Sequence, residues 1–135
     1  VFESGAILLY LAEKSGMLWP QDMTRRHDAI QWLMFQMANV GPMFGQNGYF
    51  QGYCPEDVPL AKKRYQDVSN QLYGVMNQRL ATSEYLAGAD YSVADVATYP
   101  CMESTSISTP TLPGGRMRSR NDPPCSEVSR RYRIG

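Results

Sequence analysis

Glu3 and Ser4 open an apolar, helix-like run near the start of the chain, and they carry its most specific chemistry. A helix start leaves its first backbone N–H groups unpaired and bears a partial positive charge, so it attracts a carboxylate. The Ser4 hydroxyl adds a donor at the same place, and the Glu3 carboxylate can pair with an ammonium group. Together they suit the zwitterionic head of an amino acid. The competing role for Ser4 is that of an ordinary helix cap. A second candidate is the run GPMFGQNGYF at 41–50. There, amides and aromatics after a Gly-Pro bend could line a pocket for a small polar ligand, or form a plain helix corner.

The remaining reactive side chains point to less. Cys54, Cys101 and Cys125 are far apart, odd in number and in no CxxC pair. They give no zinc spacing and no fully paired disulfide framework, which points to a reducing, cytoplasmic setting. Cys54 has no basic neighbour in sequence to activate its thiol. With a single histidine, His27, the chain has no material for a His-rich metal site or a His-based triad. Lys62-Lys63-Arg64 is balanced by Glu56, Asp57 and Asp67 and reads as a solvated face. Met17, Met23, Met34, Met37, Met43 and Met76 read as filling for a helical core.

The elements that must hold these residues are helical. Residues 3–14 carry Ile7, Leu8 and Leu11 on one side, Lys14 in the last turn and Gly16 as a stop. After Pro20, Ile30, Leu33, Met34 and Met37 form one helical stripe, which Gly41-Pro42 should bend or end. Residues 44–53 read as a loop or a distorted helix end. Residues 57–80 form a long helix with Ala61, Tyr65, Val68, Leu72 and Val75 along one side. Ser92 and Asp95 make a capping-box start, with Tyr91 and Val96 as its hydrophobic staple. The pattern holds no clear strand and no internal repeat, so the fold class is all-α.

The chain of 135 residues has 13 basic and 13 acidic side chains, which gives no whole-chain argument for nucleic acid or an anionic membrane. No apolar run approaches the ~20 residues that span a bilayer. The average hides a break. Residues 1–100 hold 7 basic and 10 acidic side chains, whereas residues 101–135 hold 6 Arg, 3 acids and 16 residues that are Ser, Thr, Pro or Gly.

In order along the chain, FESGAILLYLAEK (2–14), QWLMFQ (31–36), GPM (41–43), GQ (45–46), LYGV (72–75), YLAG (85–88) and YSVAD (91–95) resemble the glutathione transferase family. The stretches at 31–36, 41–43, 45–46 and 72–75 resemble its bacterial nu-class-like branch, whose members are also described as disulfide-bond oxidoreductases. The resemblance implies the last helix of a thioredoxin-like domain at 1–18, followed by the all-α C-terminal domain at 19–101. It implies glutathione as co-substrate, with Glu3 on the γ-glutamyl ammonium and Ser4 on its carboxylate. It further implies a small electrophile or disulfide as second substrate, a homodimer, and no nucleic acid or membrane partner. In the family, the groups that act on the glutathione sulfur precede the segment matched here. The chain is therefore expected to be an N-terminally truncated fragment that is inactive alone, with its catalytic residue absent. The alternative is a non-catalytic helical interaction domain.

From about residue 102 the resemblance stops. Read one base earlier, the codons of 109–115 permit YPNLARW and those of 116–128 permit ADAIAERPAVQRG, a family-like final helix. The 102–135 tail is thus expected to be a frameshifted, disordered translation without the apolar content to pack.

Overall fold

The computed structural model describes the backbone of residues 1–106 and the side chains of 1–101. Its order is α1 (Ser4–Ser15), α2 (Met23–Phe35), a first π-helical turn (Gln36–Val40), α3 (Gly41–Gly48), a second π-helical turn (Tyr49–Tyr53), α4 (Pro59–Leu80) and α5 (Val93–Ser106). The protein is all-α. Among the described residues the one β-type pairing is the isolated bridge between Tyr85 and Gly88. No described helix is long and apolar enough to cross a membrane. Helix α5 runs to Ser106, past the expected boundary at 101. The frameshift and disorder expected of the tail lie, beyond Ser106, outside the described residues.

Local chemistry sets the helix ends. α1 stops where Gly16 turns left-handed at φ 71° and its N–H reaches the carbonyl of Ala12 at 2.8 Å, a conformation that suits a residue without Cβ. α2 starts where the Asp22 carboxylate accepts the Arg25 N–H at 3.0 Å. α5 starts at the box foreseen from sequence. Asp95 accepts from the Ser92 N–H and hydroxyl, both at 2.9 Å, and the Ser92 hydroxyl accepts the Ala94 N–H at 3.3 Å. The second oxygen of Asp95 accepts the Leu86 N–H at 3.0 Å, tying the preceding loop to the helix start. The Tyr91 ring packs edge-on against Tyr85, with centroids 5.4 Å apart.

Three expectations are corrected here. Gly41-Pro42 does not end the second helix. The chain widens to π geometry just before it, with the Gly41 N–H on the Gln36 carbonyl, and continues helical through 44–53, where the π-helical turn Tyr49–Tyr53 is the distorted helix end and not the loop of the two alternatives. Widening of this kind relieves the clash of a proline ring with the carbonyl four residues back. On α4 the buried stripe is Ser69, Leu72, Tyr73, Met76 and Leu80, and Val75 is exposed. A straight helix drifts off a 3.5-residue repeat, which carries the stripe past Val75. Of the six methionines expected to fill the core, half do: Met76 is fully buried and Met37 and Met43 are half-buried against the core, whereas Met17, Met23 and Met34 are exposed.

Among the described residues the core forms two clusters. Val40, Phe44, Leu72, Tyr73, Met76, Leu80 and Leu86 make one, with Trp32 against it. Ala12, Ala29, Leu33, Ala87 and Val93 make the other, with Trp19, Leu8, Leu9 and Met37 packed on it. Ala12 and Ala29 are the small residues of this second cluster on α1 and α2, the two helices that pack against α5 there.

Candidate functional site

The start of α1 is open and strained. Glu3 precedes the helix with φ 71° and ψ 122°. A side chain that is not glycine rarely takes a positive φ, and holding one there costs about 1–3 kcal/mol. Glu3 forms no side-chain cap, and both Glu3 and Ser4 are exposed. The first helical bond runs from the Ile7 N–H to the Glu3 carbonyl at 2.9 Å. The N–H groups of Ser4, Gly5 and Ala6 therefore have no partner inside the helix. The result is a set of amide donors at the positive end of a dipole, one hydroxyl beside them and one carboxylate just outside. Such a set can hold a carboxylate and an ammonium on one ligand.

Beneath it lies a neighbour from elsewhere in the chain. The Ser4 hydroxyl donates to the Met37 sulfur at 3.6 Å. Gly5 is buried against the same side chain: a Cβ added there would stand 3.1 Å from Met37 Cγ and 3.2 Å from its sulfur. Met37 sits in the first π-helical turn, and sequence reasoning counted it only as core filling. Nothing local could reveal this contact, because it joins residues 33 positions apart.

In the second candidate, 41–50, Phe44, Asn47 and Phe50 serve helix packing, whereas Pro42, Gly45, Gln46 and Tyr49 are exposed. Phe44 lies against Tyr73 with centroids 4.7 Å apart, and Phe50 stacks on Tyr65 at 5.4 Å with planes 9° apart. Asn47 is buried and its carbonyl accepts from Gln51, whose amide also reaches the Lys62 carbonyl at 3.4 Å. These amides join α3 and the second π-helical turn to α4.

His27 is exposed on α2, and Lys62 and Lys63 pair with Asp57 at 2.8 Å and Asp67 at 2.5 Å. Cys54 and Cys101 are in no disulfide, and Cys101 accepts from the buried Gln36 amide at 3.2 Å. Among the described residues no three His, Cys, Asp or Glu side chains converge on a possible metal position. The Tyr91 phenol is pushed above its ordinary range, first by burial, then by the Asp95 carboxylate and by Tyr99 and Tyr85.

No family model matches the chain. Curated proteins do. Over 100 residues the chain is 47% identical to the disulfide-bond oxidoreductase YfcG of Escherichia coli, covering 74% of this chain and 46% of that protein. Over 101 residues it is 40% identical to the disulfide-bond oxidoreductase YghU of the same organism, covering 74% and 35%. A crystal structure of a glutathione transferase from Burkholderia graminis, with two glutathione molecules bound per subunit, matches with a TM-score of 0.75 and 48% identity, over 79% of this chain and 45% of that one. One from Pseudomonas putida, with one glutathione disulfide bound per subunit, matches with a TM-score of 0.82 and 36% identity, over 98% and 56%. The chain spans less than half the length of these two curated relatives.

Proposed function

We propose that this chain, which belongs to the glutathione transferase family over about three quarters of its length, supplies the γ-glutamyl end of a glutathione site. The Glu3 carboxylate pairs with the ammonium of the γ-glutamyl group. The Ser4 hydroxyl and the open amides of the first turn of α1 hold its carboxylate. One observation carries this reading: a positive-φ Glu3 set against an uncapped helix start. The relatives support it, since solved structures at 36–48% identity hold glutathione or its disulfide.

The whole protein would then use bound glutathione as a thiol nucleophile. Its thiolate attacks an electrophilic carbon, forming an S–C bond as the leaving group departs, or attacks a disulfide, forming a mixed disulfide and releasing a thiolate. Glu3 and Ser4 hold and orient the tripeptide and do not touch its sulfur. We assign the catalytic group to neither of them. The protein would act in the cytoplasm as a homodimer.

Titration of the isotope-labelled chain with glutathione, read by amide shifts, tests this. Ser4, Gly5 and Ala6 should move together and saturate. Ser4→Ala should weaken binding by about 1–3 kcal/mol, the range for a hydrogen bond to a charged group. An unmoved α1 start, or unchanged affinity in Ser4→Ala, overturns the assignment and favours a non-catalytic helical interaction domain.

A further inference from the structure

The geometry points to Met37 as a positioning residue for this site, an inference that rests on the glutathione assignment of Ser4. A positioned donor must meet two demands that conflict. Its hydroxyl needs an acceptor in the empty site, so that it does not wander among rotamers. It must also release that acceptor when a carboxylate arrives. A thioether meets both demands, because sulfur is a weak acceptor and a ligand carboxylate forms a much stronger, charge-assisted bond. The Ser4 hydroxyl rests on the Met37 sulfur at 3.6 Å.

The contact is built and not incidental. Gly5 brings the α1 backbone so close that any Cβ there would press on Met37 Cγ and sulfur. Met37 is itself held from behind by the cluster of Ala12, Ala29, Leu33, Ala87 and Val93. It lies in the widened Gln36–Val40 turn, and such insertions recur at functional sites. Met37 thus connects the helical bundle to the direction of the Ser4 hydroxyl without touching the ligand.

Two substitutions separate acceptor strength from bulk. Met37→Gln keeps the length but offers a strong amide acceptor, which captures the hydroxyl. Met37→Leu keeps the bulk and removes the acceptor. The same shift titration is run with glutathione and with cysteinylglycine, which lacks the γ-glutamyl group. Glutathione affinity should fall about tenfold in Met37→Gln and about threefold in Met37→Leu, in line with one weakened hydrogen bond to a charged group. Cysteinylglycine binding should not change in either. In the Ser4→Ala background, Met37→Gln should cause no further loss. In the unsubstituted chain, the methyl signal of Met37 should move with glutathione and stay still with cysteinylglycine, which tests the contact without a substitution. Equal losses for both ligands, additivity with Ser4→Ala, or an unmoved Met37 methyl overturns the role of Met37. Unchanged glutathione affinity in Ser4→Ala overturns the site assignment beneath it, so the two failures are distinguishable.

Discussion

Asp95 is a carboxylate wholly withdrawn from water, held by the N–H groups of Leu86 and Ser92 and by the Ser92 hydroxyl. Its removal strands two buried backbone donors, each costing about 1–3 kcal/mol. Asp95→Ala should therefore lose about 3 kcal/mol or more in urea denaturation, and Asp95→Asn, which keeps one acceptor, should lose less. Equal losses would mean that the oxygens do not matter. The Ser92–Asp95 half of this arrangement was legible in the sequence, because a capping box is a local pattern; the bond to Leu86 was not, because it depends on where a loop folds back. Beside it, Tyr91 gives a pH signature. Its phenol is raised by burial and then by the Asp95 charge, so the folded state holds the proton more tightly than the unfolded chain. That contribution is complete below the unfolded phenol range, about pH 10, and is lost as pH rises through the higher folded value. Stability measured from pH 9 upward should fall less steeply in Tyr91→Phe than in the unsubstituted chain; matching slopes would mean that Tyr91 ionises alike in both states.

Helix ends and helix faces differed in how much the sequence revealed. Gly16, Asp22 and Ser92 mark ends by their own chemistry, and the structure uses all three. Asp22→Ala should cost about 1 kcal/mol in denaturant unfolding; a loss near zero would mean that the Arg25 N–H finds water equally well. Faces were harder. The expected stripe of Ile30, Leu33, Met34 and Met37 is centred on large apolar residues, yet the fully buried positions on that side are Ala29, Leu33 and Val40, with the Gln36 amide nearly buried among them. Residue type alone favours the large side chains, whereas close helix approach selects small ones. The continuation through Pro42 was also hidden, since a proline in sequence reads as a stop unless a widened turn precedes it. At the candidate site the residues Glu3 and Ser4 were legible as a pair. The positive φ of Glu3 and the Met37 sulfur under Ser4 arise only when the chain is folded.

At the scale of the molecule the described residues hold two apolar clusters, and the connections between these decide whether they unfold separately. The helix running from Met23 through the first π-helical turn serves both, with Ala29 and Leu33 in one and Val40 in the other. Leu86 and Ala87 are chain neighbours that divide between the same two clusters, and Asp95 fixes the Leu86 backbone. A cluster that lost its partner would have to break this helix or release that carboxylate, so the two should melt as one unit. The chain carries a reporter on each side: Trp32 packs on the cluster of Met76 and Leu86, and Trp19 on that of Leu33 and Val93. Fluorescence of Trp19→Phe and Trp32→Phe, each keeping one indole, should give coincident denaturation midpoints once corrected for the substitutions. Met76 is fully buried, so Met76→Ala should cost about 2–5 kcal/mol. Because Met76 belongs to the cluster on which Trp32 packs, the informative signal is Trp19. If the clusters are coupled, Trp19 reports the full loss; if its midpoint stays in place while that of Trp32 falls, they are separate folding units and the shared helix is not what joins them.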